Sequence, residues 1–420
     1  MTQLLSTSFI RNYMNMQYSA QLYVGSPAQL FSVQVGSGSA FLWIPSQKCK
    51  ASCHESSNYF DSSRSSSYGY INSNSQITYG ANYVKGDLST ESFSIGDKEV
   101  KSIKGQTFLL VHEDSGFAYA DYDGILGLEY GSSMFGYPTF LDNLKIQGQI
   151  SQKMFSVYLG NNNFEGNIYD GSNIIFGGYD LQYAQSPDIK YVNLNLDNGR
   201  WQIKLSNIKV SYSLISSKSY QAFFDVGTSL MRAPLTELNN IINKIASYGD
   251  CWIEGNFMVC DCGNYYTMDN YPSISFMLGS HTFSLNSKDY FLKSDAYCIF
   301  LFQINGYSDE WVFGDVFFRK YYTIFDADNS KMGFTPAKIN YKAASIDLLT
   351  ADLNKEDKIE KIKRHTEEQK SLIEVPESSN SIYFWVVLGI LFAGLLRFIF
   401  NLNKTKKIDD EEIHYQKIYA

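Results

Sequence analysis

The sequence predicts a mainly β chain built from two similar units, on three observations. Most of residues 10–337 consists of short apolar or alternating runs broken by Gly, Ser, Asn and Asp. The aromatic share is 16%, mostly Tyr and Phe, which suit strands better than helices. The third is a near-repeat. Phe31–Ser46 reads as a buried strand, a glycine turn at Gly36-Ser37-Gly38-Ser39, then a second buried strand. Gln221–Pro234 repeats that plan around Asp225-Val226-Gly227-Thr228, with Asp225 lying 189 residues after Gly36.

The elements follow in order. Ser19–Val24, the alternating Tyr191–Leu196 and Trp201–Leu205 read as strands. Helical spacing is confined to the surroundings of Phe140–Lys145 and Leu235–Ile245. Ser62–Ser67 reads as a serine-rich loop without independent meaning. Each unit also has an apolar-apolar-Gly element downstream of its turn. Gly127 follows Gly36 by 91 residues, and Gly314 follows Asp225 by 89. At 420 residues with 44% apolar content, the chain can bury two ordinary cores.

After Pro336 the composition changes. Residues 338–381 are densely charged, as in Asn354–Gln369, and read as a solvated stalk, partly helical through opposite charges three and four apart. Residues 382–400 then form an apolar run of 19 residues with Arg397 near one end, the length of a transmembrane helix. Lys404, Lys406 and Lys407 follow, which places the 401–420 tail in the cytosol and makes the chain a single-pass type I membrane protein. Within the tail, Tyr415-Gln-Lys-Ile418 has the form of a sorting signal read by an adaptor. The ectodomain contains no Asn-x-Ser/Thr acceptor.

A net charge of −8 argues against a nucleic-acid partner, since there is no basic patch to neutralise phosphates. The six cysteines fall into local groups: Cys49 and Cys53, then Cys251, Cys260, Cys262 and Cys298. An even number at short spacings suggests disulfides formed in an oxidising compartment. Metal ligation by Cys49, Cys53 and His54 is the rival reading, but a zinc site recruits two compact pairs. The remaining histidines, at 112, 281, 365 and 414, are scattered. Neither a metal nor another cofactor is expected. A lumenal ectodomain needs an entry signal, yet Met1–Ser6 lacks an apolar core of signal-peptide length. The true N-terminus is therefore expected upstream of Met1; the alternative is a tail-anchored cytosolic protein with reduced thiols.

The two turns resemble those of the pepsin-like aspartic peptidases. So do the entry strand segments Asn12–Tyr18 and Tyr23–Gln29, together with Ile77-Thr-Tyr79-Gly80, Asp123–Leu128, Phe176–Asp180 and Trp311–Phe334. The resemblance covers about residues 8–337 and implies a bilobal fold, an N-terminal lobe through residue 190 and a C-terminal lobe over 191–337, joined by a six-stranded sheet. It implies that Tyr79 and Gly80 form the tip of a β-hairpin flap over a bound peptide, with Trp43 as the hydrogen-bonding partner of Tyr79. Asn82 stands where the flap normally has a second glycine. The resemblance also implies Cys49–Cys53 and Cys262–Cys298 disulfides. Cys251–Cys260 is then one choice among the three connectivities open to the last four cysteines.

Peptidases of this family hold a water between two carboxylates that share one proton, one acting as base and the other as acid. Here Asp225, Gly227 and Thr228 match the second motif, whereas the first has Gly36 in place of its Asp and keeps only Ser37, Gly38 and Ser39. No Asp or Glu lies within residues 31–46. Val226 is a second departure, since a hydroxyl is normally used at that position to clamp the turns crosswise. The expectation is a membrane-anchored peptidase homologue without turnover, whose cleft retains an extended peptide or protein ligand. An active aspartic endopeptidase of an acidic compartment and a purely structural surface scaffold are the alternatives.

Overall fold

The computed structural model describes residues 6–338, apart from residues 14–16, 52, 54–57, 81, 96–101, 118–119, 132–133, 161–170, 264–266, 295 and 307. The stalk, the 382–400 span and the Tyr415–Ile418 signal lie outside the described residues. Among the described residues no helix is long and apolar enough to cross a membrane.

The chain is mainly β. A 13-stranded sheet, an 8-stranded sheet and a 4-stranded sheet account for most of it. Six strands of the largest sheet form a platform shared by the two halves. Ser6–Tyr13, Asn173–Phe176 and Met154–Tyr158 come from the first half; Tyr321–Asp326, Lys331–Pro336 and Lys190–Asn193 come from the second. The halves join where Met154–Tyr158 pairs antiparallel with Tyr321–Asp326, Ile324 lying opposite Ser156.

An aromatic cluster sits at that junction. Phe155 stacks on Phe325 at 4.4 Å between ring centroids, and Trp201 meets both rings edge-on. The buried Trp201 indole donates to the carbonyl of Leu128 at 2.7 Å, tying the second half to the first. A large ring with one polar edge suits such a seam, because the indole N–H finds a backbone partner while the ring fills volume.

The repeat is visible as topology. Gln29–Gly36 runs parallel to Gly124–Gly127, with Gly36 opposite Gly127. Tyr220–Phe224 runs parallel to Trp311–Phe313 in the same way, with Phe224 opposite Phe313. The glycine that ends each apolar-apolar-Gly element has a steric cause. A Cβ on Gly127 would lie 2.5 Å from the Ser39 carbonyl oxygen, and one on Gly314 would lie 2.2 Å from that of Thr228. Each turn thus passes over a backbone that no side chain can cover.

The helices over Phe140–Ile146 and Leu235–Ala246 lie where the spacing predicts. The first begins in a capping box, Thr139 accepting from the Asp142 N–H while the Asp142 carboxylate accepts from Thr139. The run from Tyr191 differs from expectation: the strand is Lys190–Asn193, and Leu196 is exposed in the loop beyond it. Alternation continues there, but no partner strand does. The short helix Asp315–Lys320 follows Gly314 without a periodic signal of its own. The serine-rich segment also has a defined seat. The Ser26 N–H donates to Ser65 Oγ at 2.9 Å, and Ser67 Oγ donates to the buried Glu91 carboxylate.

All six cysteines are paired: Cys49 with Cys53, Cys251 with Cys260, and Cys262 with Cys298. Cys251 and Cys260 lie directly opposite each other on neighbouring strands, 4.0 Å apart at Cα. Cys260 is also opposite Cys298 across the next ladder. Register alone therefore permitted either partner.

Candidate active site

Strand Gln29–Gly36 delivers the first turn and strand Tyr220–Phe224 the second. They meet closely: a Cβ built on Gly227 would lie 3.2 Å from the Cα of Gly36. Asp225 sits at this meeting point, and its carboxylate accepts three hydrogen bonds. The Gly38 N–H reaches Oδ1 from the other lobe at 2.9 Å, and the Gly227 N–H reaches the same oxygen at 2.9 Å. Thr228 Oγ1 donates to Oδ2 at 2.7 Å. Charge-assisted bonds of this kind are roughly twice as strong as neutral ones and fix the plane of the carboxylate.

Gly38 is required by the same geometry. A Cβ there would stand 2.6 Å from Asp225 Oδ2. Gly36 is different, because its Cβ would meet only Ile125 Cγ2 at 3.7 Å, ordinary contact. Position 36 therefore has room for a Cβ that glycine does not supply.

Of the two equivalent positions after the turn residue, Ser37 alone supplies a hydroxyl clamp. Its buried hydroxyl donates to the Phe224 carbonyl at 2.9 Å and accepts from the Val226 N–H at 3.0 Å. The position equivalent to Ser37 is the buried Val226, whose side chain has no donor to return the bond.

The hairpin of Gly69–Tyr79 and Asn82–Ile95 reaches this centre through Tyr79. Tyr79 OH accepts from Trp43 Nε1 at 3.1 Å, and both rings pack edge-on against Phe117. Burial pushes the Tyr79 hydroxyl up to about 12; hydrogen bonds with Ser39 and Trp43 oppose the shift and the Asp225 charge adds to it. Tyr79 thus stays a neutral hydroxyl facing Ser39 and Asp225. Gly80 turns the hairpin with φ of 62°, in the left-handed region that favours glycine.

The structure brings together Asp225, Gly36, Gly38, Ser39, Gly227, Thr228, Tyr79 and Trp43. It adds three residues that sequence reasoning missed. Gln34 donates from Nε2 to the Gly227 carbonyl at 3.1 Å. Arg232, on the short strand Met231–Ala233, feels the Asp225 charge; burial lowers its pKa and Asp225 partly restores it. Asp315 is buried, with Oδ1 lacking a hydrogen-bond partner. Burial pushes its pKa well above the usual carboxylate range, Arg319 opposing and Asp225 reinforcing. A polar residue inside an apolar strand run was the available signal for Gln34 and Arg232.

The comparisons agree with this geometry. The family model for eukaryotic aspartyl protease matches residues 17–337. The chain is similar to pepsin A of Gallus gallus, 33% identical over 333 residues, covering 77% of this chain and 85% of the relative. It is also similar to pepsin A of Bos taurus at 33% over 341 residues, covering 79% and 87%. For pepsin A of Sus scrofa the figures are 34% over 335 residues, covering 78% and 83%. With the matched segment spanning both turns, the hairpin and five of the six platform strands, this chain belongs to the eukaryotic aspartyl protease family.

Proposed function

We propose that this protein is a membrane-anchored aspartic peptidase homologue that binds an extended peptide between its lobes without hydrolysing it. The observation that carries this reading is position 36, which offers a hydrogen where the second carboxyl of the pair belongs. Asp225 alone can orient a water, but general-base and general-acid roles need two groups whose titrations are split apart. Loss of one member of such a unit costs on the order of 10⁴-fold in rate, about 5 kcal/mol of transition-state stabilisation.

What favours retained binding is the rest of the site. The Asp225 carboxylate keeps its three donors, and the hairpin keeps its Trp43–Tyr79 bond. A peptide laid under such a hairpin is held by strand-like main-chain bonds, for which no second carboxylate is needed. In this reading residues 382–400 hold the ectodomain on the lumenal or extracellular side, and Tyr415–Ile418 addresses it through a cytosolic adaptor.

Full-length protein in detergent tests the reading at acidic pH, with an unfolded protein substrate and a statine-containing peptidomimetic. The expected outcome is no cleavage by the wild type, together with saturable binding of the peptidomimetic. Acid-dependent cleavage abolished by Asp225→Asn would establish the active alternative instead. The room at position 36 makes repair a second arm. Gly36→Asp combined with Val226→Thr is expected to raise cleavage at least about 100-fold above the wild type.

A further inference from the structure

Among the described residues, four hydrogen bonds cross between the two turns, and three of them involve Ser37 and Gly38 within the turn motif itself. The fourth comes from outside the motif. Gln34 lies two residues before Gly36 on strand Gln29–Gly36, so the two positions face the same side of the sheet. Its Nε2 crosses to the carbonyl of Gly227 at 3.1 Å. The position that the repeat aligns with Gln34 is Phe223, which carries no donor, so the tie runs in one direction only.

The peptide group between Gly227 and Thr228 is consequently held at both ends. Its carbonyl accepts from Gln34, and its N–H donates to the Asp225 main-chain carbonyl at 3.1 Å. This peptide links the two residues that supply Asp225 with donors from its own lobe, the Gly227 N–H and the Thr228 hydroxyl. Restraining it therefore aims the carboxylate. The need is plain from the neighbouring positions. Val226 returns no side-chain bond to the first turn, and Gly36 has no side chain with which to make one.

We infer that Gln34 is a positioning residue, a tie between the lobes that makes up for what Gly36 and Val226 do not supply and holds the Gly227–Thr228 peptide in the orientation that fixes Asp225. The tie operates whether or not the site cleaves peptides, so it goes beyond the proposed function.

Amide hydrogen exchange of the full-length protein in detergent tests it, with Gln34→Met and Gln34→Glu beside the wild type. Gln34→Met keeps the volume and removes the donor. Peptides covering residues 225–230 are expected to exchange about tenfold faster, at about pH 7 and about pH 3.5 alike, while the 251–262 hairpin is unchanged. Gln34→Glu cannot donate when ionised but can when protonated. It is expected to behave like Gln34→Met at about pH 7 and to return towards the wild type at about pH 3.5, below the ordinary Glu value. A role in filling space would leave the two variants alike at both pH values, and that result would overturn the inference. So would unchanged exchange at residues 225–230 in Gln34→Met, or equal acceleration everywhere.

Discussion

Asp225 is surrounded so closely that its neighbours tolerate little change. Gly38 approaches the carboxylate through its N–H, and an added methyl group would sit 2.6 Å from Oδ2. Gly38→Ala is expected to force the turn away and destabilise the protein by about 1–3 kcal/mol, the usual range for overpacking. Chemical denaturation measures the loss, and peptidomimetic binding should fall with it. Gly36 provides the contrast, being a glycine whose environment accepts a Cβ. The two lie two residues apart and look alike in sequence. Asp315 is the other residue with a definite outcome. Its folded pKa is raised, so the folded state holds a proton that the unfolded chain releases above about pH 4. This group therefore lowers stability as pH rises from the unfolded value towards the folded one, and has no effect below both. Asp315→Asn is expected to stabilise the protein near neutrality and to do nothing of the kind near about pH 3, when thermal midpoints are compared across pH.

Among the elements, the tip of the hairpin is tied to the site through the Tyr79 hydroxyl, which bonds Trp43 and Ser39. Tyr79→Phe removes the acceptor for Trp43 Nε1 while leaving the packing on Phe117 in place. About 1 kcal/mol should be lost. Amide exchange across Gly69–Tyr79 and Asn82–Ile95 should quicken while the platform strands hold their rates. The sequence made this hairpin and both turns legible because they are local: a few consecutive residues with special backbone needs, repeated at matching distances. The central platform was legible only through family resemblance, since antiparallel pairing between residues 156 and 324 leaves no trace in either segment alone. Gln34 escaped for the same reason. Its partner is 193 residues away, and a lone glutamine in an apolar strand announces polarity without naming what it touches. The cysteine pairing was open at the last four positions because Cys260 has a cysteine directly opposite on each side.

For the molecule as a whole, the glycine at position 36 and the framework around it belong to different layers. The buried core, the shared platform and the three disulfides do not depend on a second carboxylate, so the fold stands whether or not the site cleaves peptides. The platform has a further consequence for how the protein is made. Strand Met154–Tyr158 obtains its neighbour Tyr321–Asp326 only after more than 160 further residues have been synthesised. At roughly 5–20 residues per second, the nascent first half waits on the order of ten to thirty seconds with an apolar ribbon edge unzipped. Such an edge invites other chains to add to it. A chain that ends before Tyr321 would therefore be a sticky half-product, which makes the final strands of the fold the step that renders the newborn protein safe in company.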